Sequence, residues 1–314
     1  MKKTVLIILL FSLLLSACTR ADFPDGAQIS SDTAITFTDD LGRTITVDQP
    51  RRIACLTASF ADIWCLAGGS DTLVATTNST WIYFDLPLSE NVVNLGSSKS
   101  ISLEQLIACQ PDLILASCGS DRNLELENAL EQANLTVAYF SVNSFEDYLR
   151  MLKTCTDITG NTANYNLYGT LVAQQVNDAL SHPDGTRPSV LCMRVTGTGC
   201  KVKGSEGTVL GEMLAALDCR NIADHNGSLL EQLSMEAIIL EDPDYIFIVM
   251  QGSDTAQTQQ ILESTLLSNP AWNQLTAVQE GRCYILDPNL YNMKPNARWG
   301  EAYEILADIL YPES

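Results

Sequence analysis

Histidine is the scarcest chemically versatile residue in this sequence, with two in 314 residues, His182 and His225. A site for free zinc or manganese needs several imidazole and carboxylate ligands converging, and two histidines cannot supply it. They also leave little for imidazole-based acid–base catalysis. Basic residues are few: 18 Lys and Arg stand against 38 Asp and Glu, for a net charge of −20. Such a surface repels nucleic acid and anionic lipid. The Gly-rich stretch 197–207 contains Lys201 and Lys203 but lacks the Gly-Lys-Ser/Thr order of a phosphate loop. No Gly-x-Ser-x-Gly nucleophile elbow occurs. The ten cysteines form no Cys-x-x-Cys pair, which argues against a zinc or redox motif. Together these absences point away from an enzyme, a nucleic-acid binder and a carrier of bare metal ions.

Long apolar runs are also lacking, with one exception. Residues 5–15 are apolar apart from Ser12, follow Lys2 and Lys3, and lead into Leu15-Ser16-Ala17-Cys18. A basic start, a short apolar core and small residues describe a secretory signal peptide, here residues 1–17, too short to span a bilayer. Cysteine at the cut site resembles the bacterial lipobox. That resemblance implies cleavage before Cys18, acylation of Cys18, and a protein held outside the cytoplasm on the cell membrane by its lipid. Residues 18–34 then read as a polar tether. Loss of Lys2 and Lys3 moves the charge from −20 to −22, and 314 less 17 leaves 297 residues. That length predicts two domains. Most of the nine remaining cysteines sit in apolar runs and read as small buried hydrophobes. A disulfide near Cys200 and Cys219 stays open in an exported chain.

An internal repeat organises the remainder. Residues 102–115 and 234–247 align without a gap: Ser, an apolar residue, Glu, a short helix, Pro-Asp, then a β-type run. Ser102 and Ser234 are N-cap candidates, and Pro111 and Pro243 stand where helix turns into strand. Around these units strands alternate with helices. Strands are expected at 52–56, 73–76, 113–116, 136–140, 189–194, 245–250 and 283–286, which implies βα units with mostly parallel sheets. Residues 145–156 predict one helix. Residues 162–181 predict another, roughly 30 Å long, with helical apolar spacing and Gly169 its only breaker. The division is an N-terminal α/β lobe at 35–142, a helical connector at 143–183 and a C-terminal α/β lobe at 184–314, joined by a single long bridging helix.

Several segments in order resemble one family: Thr38-Asp39-Asp40-Leu41-Gly42-Arg43, Ala67-Gly68-Gly69-Ser70-Asp71, Ser102-Leu103-Glu104 through Pro111-Asp112, and Lys294-Pro295-Asn296-Ala297-Arg298-Trp299. The chain is similar to the substrate-binding proteins of ABC transporters for siderophores, haem and cobalamin, over about residues 35–312. The resemblance implies two Rossmann-like lobes, a ligand cleft between them and little closure motion. It implies a monomer that delivers cargo to an ABC permease with its ATPase. It also implies that one glutamate per lobe, Glu104 and Glu236 by position in the repeat, docks on permease arginines. The simpler role for either glutamate is to complement its helix N-terminus.

Ligands of open α/β sheets lie beyond the carboxyl ends of the strands. Three segments qualify: the one holding Trp81 and Tyr83, the one running from Arg194 through residues 196–201, and the one holding Tyr291, Lys294, Arg298 and Trp299. Aromatic rings offer contact to a flat chelate, and Arg and Lys pair with its negative charge. The expected binding residues are Trp81, Tyr83, Arg194, Tyr291, Lys294 and Arg298, with Lys99 a weaker candidate. Arg298 could instead pair with Glu301 across a helix turn, and Trp299 could be core. No resident cofactor and no protein-bound metal are expected. The cargo is an iron chelate held by its organic shell, a ferric siderophore ahead of haem or cobalamin.

Overall fold

The computed structural model describes residues 34–231, 233–252 and 255–312. The signal segment 1–17 and Cys18 therefore lie outside the described residues.

Strands β1 (Ala34–Thr38) and β2 (Thr44–Asp48) form an antiparallel hairpin. Five short strands follow: β3 (Ile53–Cys55), β4 (Leu73–Thr76), β5 (Val93–Asn94), β6 (Leu113–Ser117) and β7 (Val137–Phe140). They make a wholly parallel sheet in the order β5-β4-β3-β6-β7. The second sheet contains β8 (Ser189–Thr196), β9 (Gly199–Lys203), β10 (Arg220–Asn221), β11 (Tyr245–Gln251) and β12 (Cys283–Leu286). Its parallel path is β10-β8-β11-β12, and β9 runs antiparallel beside β8. Strand order reverses between β3 and β6 in one lobe and between β8 and β11 in the other. Such reversals open a crevice at the strands' carboxyl ends.

The sequence repeat has a structural cause beyond its Pro-Asp turn. The Asp112 carboxylate accepts from the amides of Arg51 and Arg52, at 2.8 and 2.9 Å, just before β3. Its counterpart Asp244 accepts from Ser189 N and Oγ, both at 2.7 Å, at the start of β8. Each Pro-Asp thus anchors the first parallel strand of its lobe. The opening hairpin is tied down by Asp39, which is fully enclosed at its carboxylate and accepts from the Arg43 guanidinium at 2.7 Å and from Tyr139 N. Burial raises the pKa of Asp39, but hydrogen bonds from Arg43 and Tyr139 outweigh it and hold the carboxyl below its ordinary value.

The connector begins with the helix Phe145–Thr159, opened by a Ser144/Asp147 capping box and closed by Gly160 in the left-handed conformation. Residues 162–179 are helical throughout, with a π-type turn at Asn166–Thr170 around Gly169. The sequence expectation of one unbroken helix misses that turn, where Tyr148 Oη donates to Tyr168 O at 2.9 Å. The C-terminal helix Trp299–Leu310 packs along Leu171–Ala179. A Cβ at Gly300 would stand 2.5 Å from Gln175 Cβ, at the root of that side chain, so the close crossing favours glycine.

One apolar core runs through both lobes and the connector. It joins Trp64 and Phe140 of the first lobe, Tyr148, Val172 and Val176 of the connector, and Cys192, Leu214 and Phe247 of the second, with Trp299 and Leu306. Separate cores cover the outer face of each sheet. Trp299 is fully buried and packs on Phe145, Tyr148 and Tyr303, with centroids 5.9, 6.5 and 6.2 Å away. It is therefore core and not a cleft residue. The nine cysteines from Cys55 to Cys283 are free, so Cys200 and Cys219 are not bridged. No helix among the described residues is long and apolar enough to cross a membrane.

Because the core is shared, the lobes are expected to unfold together. Far-ultraviolet circular dichroism and tryptophan fluorescence should give one superimposable urea transition. Trp299→Ala should lower stability by about 3–5 kcal/mol; two separated transitions, or a loss under about 1 kcal/mol, would contradict a shared core.

Candidate ligand-binding site

A cavity of about 610 Å³ lies where the carboxyl ends of the two sheets meet. From the first lobe it receives residues 57–59 after β3, 97–99 after β5 and 141–143 after β7, together with Asn78, Ser79, Ile82 and Tyr83 after β4. From the second come Thr196 and Gln251, which end β8 and β11, and residues 292–294 after β12. The wall is thus built from strand ends and the segments that follow them, as the topology demands. The lining carries seven serines and no Asp, Glu, His or Cys, and Tyr83 is its one aromatic residue. Its cations are Lys99 and Lys294.

Lys294 reaches from the second lobe to Asn143 Oδ1 of the first, at 3.1 Å. Burial and the neighbouring charge of Arg194 pull its pKa down to about 8. Arg194 itself is half-buried and makes no hydrogen bond or ion pair among the described residues, and burial lowers its pKa. Across the β8–β9 ladder Arg194 faces Lys201, and Cys192 faces Lys203, which puts all three cations on one face of the hairpin. Lys203 is depressed by burial and by the charges of Arg194 and Lys201. Arg194, Lys203 and Tyr291 also line a narrow recess.

The charge pattern is selective. Eight of the described basic residues pair with a carboxylate: Arg43, Arg122, Arg150, Lys153, Arg187, Arg220, Arg282 and Arg298. Arg51, Arg52, Lys99, Arg194, Lys201, Lys203 and Lys294 form no ion pair among the described residues; Arg51 and Arg52 precede β3, where the Arg52 guanidinium donates to Cys109 O. Acids outnumber bases two to one, yet five of these seven gather at the cavity or on the adjoining β8–β9 hairpin.

Of the sequence candidates, Tyr83, Lys294 and Lys99 line the cavity, and Arg194 stands beside Lys294. Trp81 shares the short helix Ser79–Tyr83 with Tyr83 but is 45 % exposed and does not line the cavity; Ile82 does. Tyr291 is buried, and its hydroxyl is spent on Ala302 O at 2.9 Å. Arg298 is outside the lining and holds Glu301 by two bonds of 2.6 and 2.7 Å, so helix-turn pairing is what it does here. Residues 196–201 are not an open loop: Gly197 and Thr198 form the two-residue turn of the β8–β9 hairpin. Glu104 and Glu236 each occupy the first turn of a helix whose Ser N-cap accepts a backbone N–H. Both glutamates are exposed and unpaired among the described residues. Among those residues no group of three His, Cys, Asp or Glu could hold a metal ion.

Sequence reasoning missed the serine-rich wall, since single serines carry no signal; the strand-end rule applied to Ser117 and Ser141 would have found it. It read Lys201 and Lys203 as part of a Gly-rich loop, although their alternation around buried Val202 is a strand pattern. Two measurements test the assignment. Arg298→Ala should leave affinity for an anionic ligand within about twofold, an exposed pair contributing little. Affinity should fall as pH rises through about 8, where Lys294 loses its proton; titration calorimetry against pH checks both.

A sequence profile described as periplasmic binding protein matches residues 53–290. The chain is 25 % identical over 321 residues to YvrC of Bacillus subtilis, an uncharacterized ABC transporter substrate-binding lipoprotein, covering 98 % of this chain and 96 % of that one. It is 24 % identical over 316 residues to a cobalamin-binding protein of Halobacterium salinarum, covering 95 % and 83 %. The siderophore-binding protein BauB, solved with ferric iron and two acinetobactin molecules, superposes with a TM-score of 0.70 at 18 % identity, covering 90 % and 100 %. With two parallel-sheet lobes, a helical connector and a cleft at the strand ends, the chain belongs to the periplasmic binding protein family.

Proposed function

We propose that this protein captures an anionic metal chelate, a ferric siderophore before any other, and hands it to an ABC permease while anchored outside the cytoplasm through Cys18. The observation that carries the cargo class is the set of unpaired cations at an acid-free cleft. A chelate bearing carboxylates would bind Lys294, Lys99 and Arg194 by charge-assisted hydrogen bonds, and the serine and asparagine wall would serve its outer oxygens. The wall has no His, Cys or carboxylate, so the metal arrives already coordinated. Haem and cobalamin present broad flat faces, for which a lining with Tyr83 as its one aromatic residue is poorly furnished. The protein binds and releases its cargo, in keeping with a cleft lining that offers no His, Cys or carboxylate.

Docking falls to Glu104 and Glu236. Their helices run into the Pro-Asp turns that begin β6 and β11, so their N-termini lie at the carboxyl, cleft-side ends of the sheets. Two exposed carboxylates, one per lobe at equivalent positions, suit a partner with two arginines and set orientation.

Lys294→Ala should weaken binding of a carboxylate siderophore at least about tenfold, one lost charged contact being worth some 1.5–3 kcal/mol. Wild-type affinity in that variant would sink the anionic-cargo reading. The Glu104→Ala, Glu236→Ala double variant should keep ligand affinity and lose most import in cells; unchanged import would remove the docking role.

A further inference from the structure

The segment that carries Lys294 leaves the second sheet after β12 and is tied to the first lobe by its own polar groups. Asn296 is fully buried and donates from Nδ2 to Ser59 O at 2.9 Å and to Asp62 Oδ2 at 2.7 Å. Lys294 N donates to Ser59 Oγ at 3.5 Å, and Lys294 Nζ reaches Asn143. Ser59 and Asp62 stand on the helix Ala58–Leu66, which follows β3. Asn296 has φ +53°, a conformation that asparagine tolerates better than most side chains. We propose that Asn296 and Asp62 are positioning residues for cargo capture: their bond straps the Lys294 segment across the floor of the cleft and so sets where that ammonium stands. The proposal rests on the reading of the cleft as an anion site.

Three features favour this role over plain packing. The bonds lie within two residues of Lys294 and cross from one lobe to the other. The acceptor is a carboxylate, although any carbonyl would serve a passive contact. No ion pair accompanies Asp62: the titratable groups that face it are Cys65 on its own helix and Tyr148 on the helix Phe145–Thr159, both neutral, with Asn296 opposite. Burial lifts its carboxyl to about 6 against the single bond from Asn296. Above that pH the bond is charge-assisted, and below it the acceptor is neutral and weaker. Asp62 acts through Asn296 and not on the ammonium directly, since the charges that shift Lys294 are those of Arg194 and Asp147.

The test takes the mature chain with ferric citrate as probe and compares wild type with Asn296→Gly, Asp62→Asn and Lys294→Ala. Glycine suits the left-handed backbone, so Asn296→Gly deletes the amide bonds while sparing the turn. Lysine-selective carbon-13 NMR follows the Lys294 titration without any ligand. In wild type the titration should centre near 8; in Asn296→Gly it should move toward the ordinary lysine value of about 10.4 as the ammonium reaches solvent. Ferric-citrate affinity should fall with it, roughly tenfold, as for the loss of one charged contact. Asp62→Asn keeps an acceptor for Asn296. At neutral pH it should bind more weakly than wild type by the same few-fold that wild type loses as pH falls through about 6, and it should show no such pH dependence itself. An Asn296→Gly protein with an unmoved Lys294 titration and wild-type affinity overturns the strap. A wild type that ignores ferric citrate overturns the anionic-cargo reading instead, and the ligand-free titration still decides the strap.

Discussion

The shared apolar core behind the cleft is the constraint on which the rest of the structure depends. Two α/β lobes joined by loops alone would move as separate bodies, since small polar interfaces between domains permit it. Here Trp64, Tyr148, Val176, Phe247 and Trp299 belong to one packed cluster that passes from the first sheet through the connector to the second. Packed interiors are close to crystalline in density and do not deform continuously. The distance between the two rows of strand ends is therefore set at the back of the molecule, far from the ligand. This is also why the π-type turn at Asn166–Thr170 is tolerated: the helix is held by Leu149, Tyr148 and the C-terminal helix and not by its own ladder alone.

A fixed cleft permits an electrostatic arrangement that a mobile one would relax. Burial strips water from both Lys294 and Arg194 and disfavours their charged forms, and the charge of Arg194 adds to the effect on Lys294 more than Asp147 offsets it. In a loose segment either side chain would swing toward one of the many carboxylates at the surface, as Arg298 does toward Glu301. Holding the cations apart from acids costs stability in the empty protein and, on the proposed reading, would make the site complementary to an anion before one arrives. Affinity then owes less to closure and more to pre-organisation.

The fold was largely legible before the coordinates, for physical reasons that can be named. Parallel strands buried on both faces, such as Leu113–Ser117 and Tyr245–Gln251, leave continuous apolar runs that no other element mimics at that length. The repeat showed itself because Ser caps, Pro-Asp turns and strand starts each demand a particular residue type. The hairpin partner β9 was not legible, since Gly197-Thr198-Gly199 reads as an open loop until Lys203 is seen facing Cys192 across the ladder. The site was legible only in outline. Lys294 and Tyr83 follow from the strand-end rule, whereas Trp81 and Tyr291 fail it through rotation about a short helix, which no periodicity over five or four residues can fix. Arg298 shows the same limit: a guanidinium near a cleft and a guanidinium paired one helix turn away are identical in sequence.

Asparagine 296 carries the argument one step further. In the string Lys294-Pro295-Asn296-Ala297-Arg298-Trp299 the cations draw attention by charge and the tryptophan by size. Yet Trp299 serves the core and Arg298 serves Glu301, while Asn296, a neutral residue between the two cations, connects the lobes. Trp299 anchors the segment in the shared core on one side, and Asn296 fixes it to Ser59 and Asp62 on the other. Between these two attachments the backbone has little freedom, and Lys294, two residues before Asn296 and itself bonded through its amide to Ser59 Oγ, inherits that rigidity. The placement of the Lys294 charge at the cleft is thus a consequence of the same packing that holds the lobes together, passed along five residues of chain.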